Sequence, residues 1–420
     1  KGWSIKGDNY FHLPSFLSSL PFYTNEKRFE TFKQLGKTRT MLSWTCANIA
    51  PLQGEFKGAL AEPCVMLIGK RGQPLYWNPY YSPEAGGNYN VVVTGKSGSG
   101  KSVFMQDLAA SIRGVGGQLF IIDNGESFKN SSAMQGGKFI KIDKETCISP
   151  FTMFDLNNLK DDLDYRRDVL NFFTCLISQI CRPINPINED ERALITLASE
   201  KVLDKHGKDG SLELISEALL DITNDEYQLR TATSLKLSLD VFLKKYGKYF
   251  RGTSDITMES KMMIFEISNL EGGGMEDLKS VVMMIIMHLI TELIYKGDRS
   301  TRSALMIDEA WTMLQGEGMK KFIEGYVRRV RKFGGSLVTA SQSINDYYAN
   351  PAAKAVLDNS QWKVFLAQNK DAIDYLKENK VIGMSSQLEE ALKNIRMVSG
   401  CYSEALVYGD SGWYVGRLLL

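Results

Sequence analysis

The residues best equipped for chemistry in this chain lie in "TGKSGSGKS", Thr94 to Ser102. The spacing G-x-x-x-x-G-K-[ST] reads Gly95, then Lys96, Ser97, Gly98 and Ser99, then Gly100, Lys101 and Ser102. A polyphosphate is wrapped by successive backbone N–H groups, and only residues with little or no side chain let the backbone close that tightly. Gly95, Gly98 and Gly100 supply that freedom. Lys101 brings a full charge to the β and γ oxygens of a nucleotide, and the Ser102 hydroxyl suits a Mg²⁺ ligand. The helical pattern that follows through Val103 turns its positive end toward the phosphates.

A phosphate loop becomes an ATPase site when a neighbouring strand adds a carboxylate for Mg²⁺ and a group that activates water. "SALMIDEAW" has that form. Ala304 to Ile307 is a short apolar strand, Asp308 stands at its carboxyl end, and Glu309 follows. Asp308 is assigned to the Mg²⁺ sphere and Glu309 to the base or orienter of the attacking water; a solvated acidic pair capping the next helix is the alternative. "GGSLVTASQS" is another buried strand that ends in Ser341 and Gln342, and the Gln342 amide can bond both γ-phosphate and water. Between these strands, "EGYVRRVRKFGG" places Arg328, Arg329, Arg331 and Lys332 together. Such a run can be a nucleic-acid patch, a solvated helix face or the source of an arginine finger, and composition alone favours the solvated face.

Positioning these groups requires a parallel sheet. Strand, phosphate loop, helix and the buried strand "GGQLFIID", ending in Asp123, form a βαβ unit. "PCVMLIGKRGQPLYWNPYY" reads as a hairpin ahead of the loop. From about residue 154 to 249 the period is helical, broken at "RPINPINEDE", and strand signals return at "KMMIFEIS", "SALMIDEA", "GGSLVTASQS", "WKVFLAQ", "CYSEALVYG" and "GWYVGRLLL". The expected architecture is α/β, a RecA-like P-loop NTPase core with a largely parallel sheet and an inserted all-α module. Its expected parts are 1–60, the end of a preceding domain with a linker; 61–153, the first part of the core; 154–255, the helical module; and 256–420, the second part of the core.

The 420 residues carry a formal net charge of +1, 44% hydrophobic and 24% charged residues, ordinary globular values that exclude a global attraction to nucleic acid or anionic lipid. Cys46, Cys64, Cys147, Cys175, Cys181 and Cys401 are scattered without a C-x-x-C pair, and His12, His206 and His288 are the complete set of histidines. That pattern favours a reducing compartment and offers no zinc site. The opening "KGWSIKGDNYF" has no secretory leader pattern, and the chain reads as a fragment cut at both ends. Ser280 to Tyr295 is the longest apolar run; His288 and Glu292 interrupt it, so a buried core helix with a core histidine is expected.

"TGKSGSGKS", "LFIIDNGES", "LMIDEAW", "RKFGG" and "TASQS", in this order and with a helical insert after the second strand, resemble the conjugative type IV secretion ATPases of the TraC type. Those belong to the HerA/FtsK group of ring-forming RecA-like motors, and the resemblance spans about Cys64 to Leu420. It implies ATP hydrolysis with Mg²⁺ and self-association into a hexamer. It further implies residence in the bacterial cytoplasm, peripheral to the inner membrane through secretion-complex partners, with pilus assembly and conjugative transfer as the work done. It maps Lys101, Ser102, Asp308, Glu309 and Gln342 onto the family's nucleotide site and Arg331 onto its trans arginine. Asp123 matches an acidic residue at the end of the second core strand, with capping of "NGES" as its alternative role. DNA contact is possible without being obligatory. A DNA-pumping coupling ATPase shares the whole site and is the nearest rival; a nucleotide-dependent switch with little turnover is the other, although Glu309 beside Asp308 argues for hydrolysis. "QNKDA", Gln368 to Ala372, departs from the guanine-reading N-K-x-D because Asp371 comes one residue early.

Overall fold

The computed structural model describes residues 12–20, 24–38, 40, 42–43, 56–152, 154–223, 225–252, 254, 256, 260–270, 274–297, 300–309, 316–348, 351–379 and 381–420. The chain divides into two units, 1–55 and 56–420. In the first, helices cover His12–Ser19 and Glu26–Gln34, and the Asn25 side chain caps the latter by accepting from the Arg28 N–H. Parts of the segment 1–60, together with Cys46, Ala310 and Trp311, fall outside the described residues.

The second unit is built on one twelve-stranded sheet. Its strands are β1 (Val65–Ile68), β2 (Pro74–Trp77), β3 (Val91–Thr94), β4 (Gln118–Asp123), β5 (Lys138–Lys141), β6 (Met262–Glu266), β7 (Ser303–Ile307), β8 (Gly335–Ser341), β9 (Trp362–Phe365), β10 (Met397–Val398), β11 (Tyr402–Gly409) and β12 (Gly412–Leu419). The spatial order is β2-β1-β12-β11-β9-β3-β8-β7-β4-β6-β5, with β10 on β11. From β9 to β5 every pairing is parallel; β11, β12, β1 and β2 extend the sheet in antiparallel fashion. The expected α/β core with a largely parallel sheet is therefore present. Strands buried on both faces read as near-continuous apolar runs, and β3, β6, β7 and β8 are buried throughout. The edge strand β5, "KFIK", is half-exposed with a lysine at each end, and the apolar-run signal that reveals the other core strands does not reveal it.

Helices cover both faces. Strand alternation sends Val91, Val93, Leu119, Ile121, Ala304 and Met306 to the side of α1 (Lys101–Gly114), where Phe104, Met105, Leu108 and Ile112 meet them. Their neighbours Val92, Phe120, Ile122, Leu305 and Ile307 face a thicker layer on the other side. That layer holds α2 (Leu163–Cys181), α3 (Glu189–His206), α4 (Leu212–Asp221), α5 (Glu226–Tyr246), α6 (Glu276–Lys296) and α7 (Glu317–Lys332). The Pro/Asn break falls between α2 and α3, and Asn188 with Glu191 forms the capping box that starts α3. Helix α7 is amphipathic, with Met319, Phe322, Ile323, Tyr326, Val327 and Val330 inward.

Helix α6 is apolar on all sides, long enough by composition to span a bilayer, and 89% buried over its apolar window inside the protein. It is a core helix, as its interruptions predict. The His288 ring on α6 stacks on Phe172 of α2 with centroids 3.8 Å apart, and neither ring nitrogen has a hydrogen-bond partner among the described residues. Burial, reinforced by Arg329, holds the His288 pKa well below its ordinary value of 6.5. Folded His288 stays neutral while the unfolded chain binds a proton below pH 6.5, so its contribution to stability is intact above that pH and lost as pH falls. The loss approaches about 1.4 kcal/mol per pH unit. His288→Leu should remove this component, leaving a shallower decline of urea-melt stability below neutrality than wild type; equal slopes in the two proteins would contradict it.

Candidate functional site

The phosphate loop leaves the carboxyl end of β3 and is tied to both neighbouring strand ends. Gly95 N–H donates to Ser341 O at the end of β8, and Lys96 N–H donates to Ala367 O beyond β9. The Gln368 amide donates to Thr94 O at 2.8 Å and to Leu366 O at 2.9 Å, locking the strand end before the loop begins. Gly100 has φ +88°, a left-handed conformation that disfavours a side chain, and a Cβ there would meet Ser403 Oγ at 2.8 Å. At Gly95 a Cβ would meet Leu366 Cβ at 2.7 Å. The glycines are therefore demanded by packing beneath the loop as well as by space for a ligand above it.

Asp308 and Glu309 follow β7, two strands from β3. They converge on the loop lysine: Lys101 Nζ donates to Asp308 Oδ1 at 2.8 Å and to Glu309 Oε1 at 2.5 Å. Burial opposes the charge on Lys101, but the two carboxylates outweigh it and raise its pKa above the ordinary lysine value. Lys101 is a cation throughout the physiological range. Glu309 has φ +50°, uncommon for a residue with a side chain and costing about 1–2 kcal/mol. Gln342, just past β8, donates from Nε2 to the same Glu309 Oε1 at 3.2 Å.

Four residue types predicted as a set, Lys, Asp, Glu and Gln, are thus brought together from three strand ends. Ser102 and Val103 occupy the exposed first turn of α1, and Lys96, Ser97 and Gly98 form the exposed crest of the loop. Ser99 is buried beneath it. Arg331 is not part of this cluster. It is exposed in the last turn of α7, before β8 begins, whereas the cluster lies beyond the end of β8. Seven residues of strand, about 23 Å at ~3.3 Å each, separate the two levels. The donor set of Ser102 hydroxyl and Asp308 carboxylate is all oxygen, which suits a hard divalent cation, and Asp308 already accepts a cation in the form of the Lys101 ammonium.

Asp123 caps the turn after β4, its Oδ1 accepting from Asn124 N–H and its Oδ2 from Phe128 N–H. Burial, with Glu266 adding to it against those two hydrogen bonds, pushes its pKa up to about 6. Glu266, at the end of β6, accepts from Gly125, Glu126 and Ser268 N–H groups. The "NGES" turn is therefore held by two buried carboxylates, and capping is the role its contacts support.

Sequence reasoning missed the supports of the site. Asp346 accepts from Ser341 Oγ and from Ser343 N–H at 3.0 Å, fixing the turn that carries Gln342. Asn369 lines, with Lys96, Ser97, Gln342, Ser343 and Asp346, a cleft of 490 Å³ beside the loop. Ser403, on β11, donates from Oγ to Ser99 O at 2.7 Å across 304 residues of sequence. A lone Ser in an apolar strand gives no signal of that task.

Residues 68–400 match the model of a protein family described as the TraG P-loop domain. The chain belongs to that family. This TraG P-loop chain is 26% identical over 400 residues to protein TraC of Escherichia coli K12, covering 90% of the chain and 43% of TraC. It is 23% identical over 361 residues to the type IV secretion system protein VirB4 of Bartonella henselae, covering 83% of the chain and 43% of that protein. The chain thus spans less than half the length of these relatives. Among solved structures, VirB4 of Thermoanaerobacter pseudethanolicus superimposes with a TM-score of 0.70 at 19% identity, over 86% of this chain and 98% of that one. The plasmid coupling protein TrwB, in complex with the non-hydrolysable ATP analogue ADPNP, gives 0.56 at 14% identity, over 91% and 93%. The sequence relatives and the fold neighbours of the TraG P-loop chain are thus proteins of conjugative type IV secretion and plasmid coupling, the class its motifs resemble.

Removing the Ser403 hydroxyl leaves the Ser99 carbonyl under the loop without its partner, at a cost of about 1–3 kcal/mol. Ser403→Ala should bind a fluorescent ATP analogue about fivefold or more weakly at unchanged far-UV circular dichroism; wild-type affinity would show that β11 does not support the loop.

Proposed function

We propose that this chain is the motor portion of a conjugative type IV secretion ATPase. In this reading it binds ATP with Mg²⁺ between the Gly95–Val103 loop and the Asp308–Glu309 strand end, hydrolyses it as a hexameric ring, and energises pilus assembly and conjugative DNA transfer. It works at the cytoplasmic face of a bacterial inner membrane, held there by secretion-complex partners. The observation that carries the reading is the Lys101 ammonium clasped by Asp308 and Glu309 across more than 200 residues of sequence. Segments 61–153 and 256–420 would form the motor core, and 154–255 its helical insert.

Each group has a distinct task. Loop N–H groups and Lys101 bind the phosphates. Ser102 and Asp308 would hold Mg²⁺, which when bound offsets phosphate charge. Glu309 accepts the proton of the attacking water at Oε1, and Gln342, already on that oxygen, orients the water. Arg331 serves a neighbouring subunit, a reading supported by its place at the opposite level of the sheet from its own Lys101. A guanidinium supplied in trans stabilises transition-state charge and couples one subunit to the next. TrwB's likeness in fold keeps a DNA-pumping coupling role as the second reading.

Mixing two inactive variants tests the assignment. Lys101→Ala should lose nucleotide binding and turnover, and Arg331→Ala should keep binding while turnover falls about 10³-fold or more. A Lys101→Ala subunit still offers Arg331 to its neighbour, so mixed rings should regain part of the ATPase activity. Near wild-type activity of Arg331→Ala, or no recovery in rings shown to be mixed, would remove the trans assignment. Strong stimulation of the wild-type rate by DNA at physiological salt would transfer the function to the coupling reading.

A further inference from the structure

Away from the nucleotide site, arginines of the helical layer are commonly paired. Arg166 bridges Glu200 and Asp204, Arg182 meets Glu191, and Arg251 meets Glu213. The junction of α2, α3 and α7 is built differently. A cleft of 380 Å³ opens there, with Arg192 from α3, Lys321, Arg328 and Arg329 from α7, and Asp168 from α2 as its charged lining. Asp168 lies 3.4 Å from Arg329. Arg192, Lys321 and Arg328 form no ion pair among the described residues. Four cations therefore face one carboxylate.

The field of these cations converges on one point. Burial pushes the Cys175 thiol up, and Arg192, Lys321 and Arg329 together pull against it. A second, smaller cavity shares Cys175, Arg192 and Lys321 and continues the cleft toward Pro186 and Ile187. The combined shape is an elongated groove whose smaller end adds Arg182, already paired with Glu191, and Glu317, which lies 3.9 Å from Lys320. Like charges held this close repel one another, and an anion that spans them relieves the repulsion.

We propose that this groove docks an Asp/Glu-rich segment of a partner protein, its carboxylates taken by Arg192, Lys321 and Arg328. The pairing of Asp168 with Arg329 is the local template, since a carboxylate already occupies one of the four cations in the geometry that a partner's carboxylates would repeat. A nucleic-acid strand fits less well. Single-strand grooves offer aromatic faces for bases to stack on, whereas Phe172 is 1% and Phe322 3% exposed.

The probe is a short fluorescein-labelled peptide alternating Asp and Glu, followed by anisotropy at low salt. Wild type should bind it, Arg192→Glu with Lys321→Glu should weaken binding about tenfold or more, and Asp168→Asn should tighten it by freeing Arg329. Thermal melting and binding of an ATP analogue should stay at wild-type values in the double variant, and the exposed Arg328→Gln, weakened in the same direction, serves if that variant does not fold. Failure of wild type to bind the peptide overturns the proposal, as does binding indifferent to the charge reversals. Preference for a labelled single-stranded oligonucleotide, lost in the same variants, overturns it in favour of nucleic acid.

Discussion

One ammonium group organises the chemistry of this chain. Lys101 is fixed on its helix by the phosphate loop, and it is met by two carboxylates that arrive from a strand more than 200 residues later. Asp308 and Glu309 stand side by side at a half-buried sheet edge, and the cation between them offsets their mutual repulsion. Glu309 meets the lysine from a left-handed backbone conformation, with its own N–H donated to Asp308 Oδ1 at 2.9 Å. Nucleotide phosphates carry the same sign as these carboxylates. Under the proposed function, binding ATP means competing for Lys101, and the competition links occupancy of the loop to the freedom of Glu309.

The remainder of the fold serves to bring those groups to one edge. Parallel strands align their carboxyl ends, so β3, β7 and β8 deliver the loop, the acidic pair and Gln342 to the same level. Helix α1 seals one face and the layer around α6 the other, leaving no strand in the centre free to shift. The antiparallel extension adds a support of its own, since β11 reaches under the loop through Ser403. The same parallel order puts Arg331 at the far end of β8, away from the site on its own chain.

What was legible in the sequence follows from the range of each interaction. The phosphate loop, the apolar strands and the acidic pair are local patterns with few physical alternatives, and each lies where the pattern puts it. The buried helix α6 was legible because a run interrupted by His288 and Glu292 suits a protein core better than lipid. Strand β5 was not, since an edge strand ending in two lysines lacks the apolar run of its neighbours. Ser403 and Glu266 were invisible for another reason: each bonds backbone groups brought near by the tertiary fold, and nothing in its own sequence neighbourhood marks that task. Arg328 and Arg329 stood in one basic run with Arg331, yet the turn of α7 and the approach of α2 and α3 separate them into a groove.

The central claim is that Lys101 is shared between Glu309 and the nucleotide. Glu309→Gln, assayed for analogue binding and for turnover in the same preparation, addresses both halves at once. The account predicts ATP-analogue affinity equal to or tighter than wild type, because one competitor for Lys101 has lost its charge, together with hydrolysis slowed by about 10²-fold or more. Weakened binding with turnover preserved would contradict it.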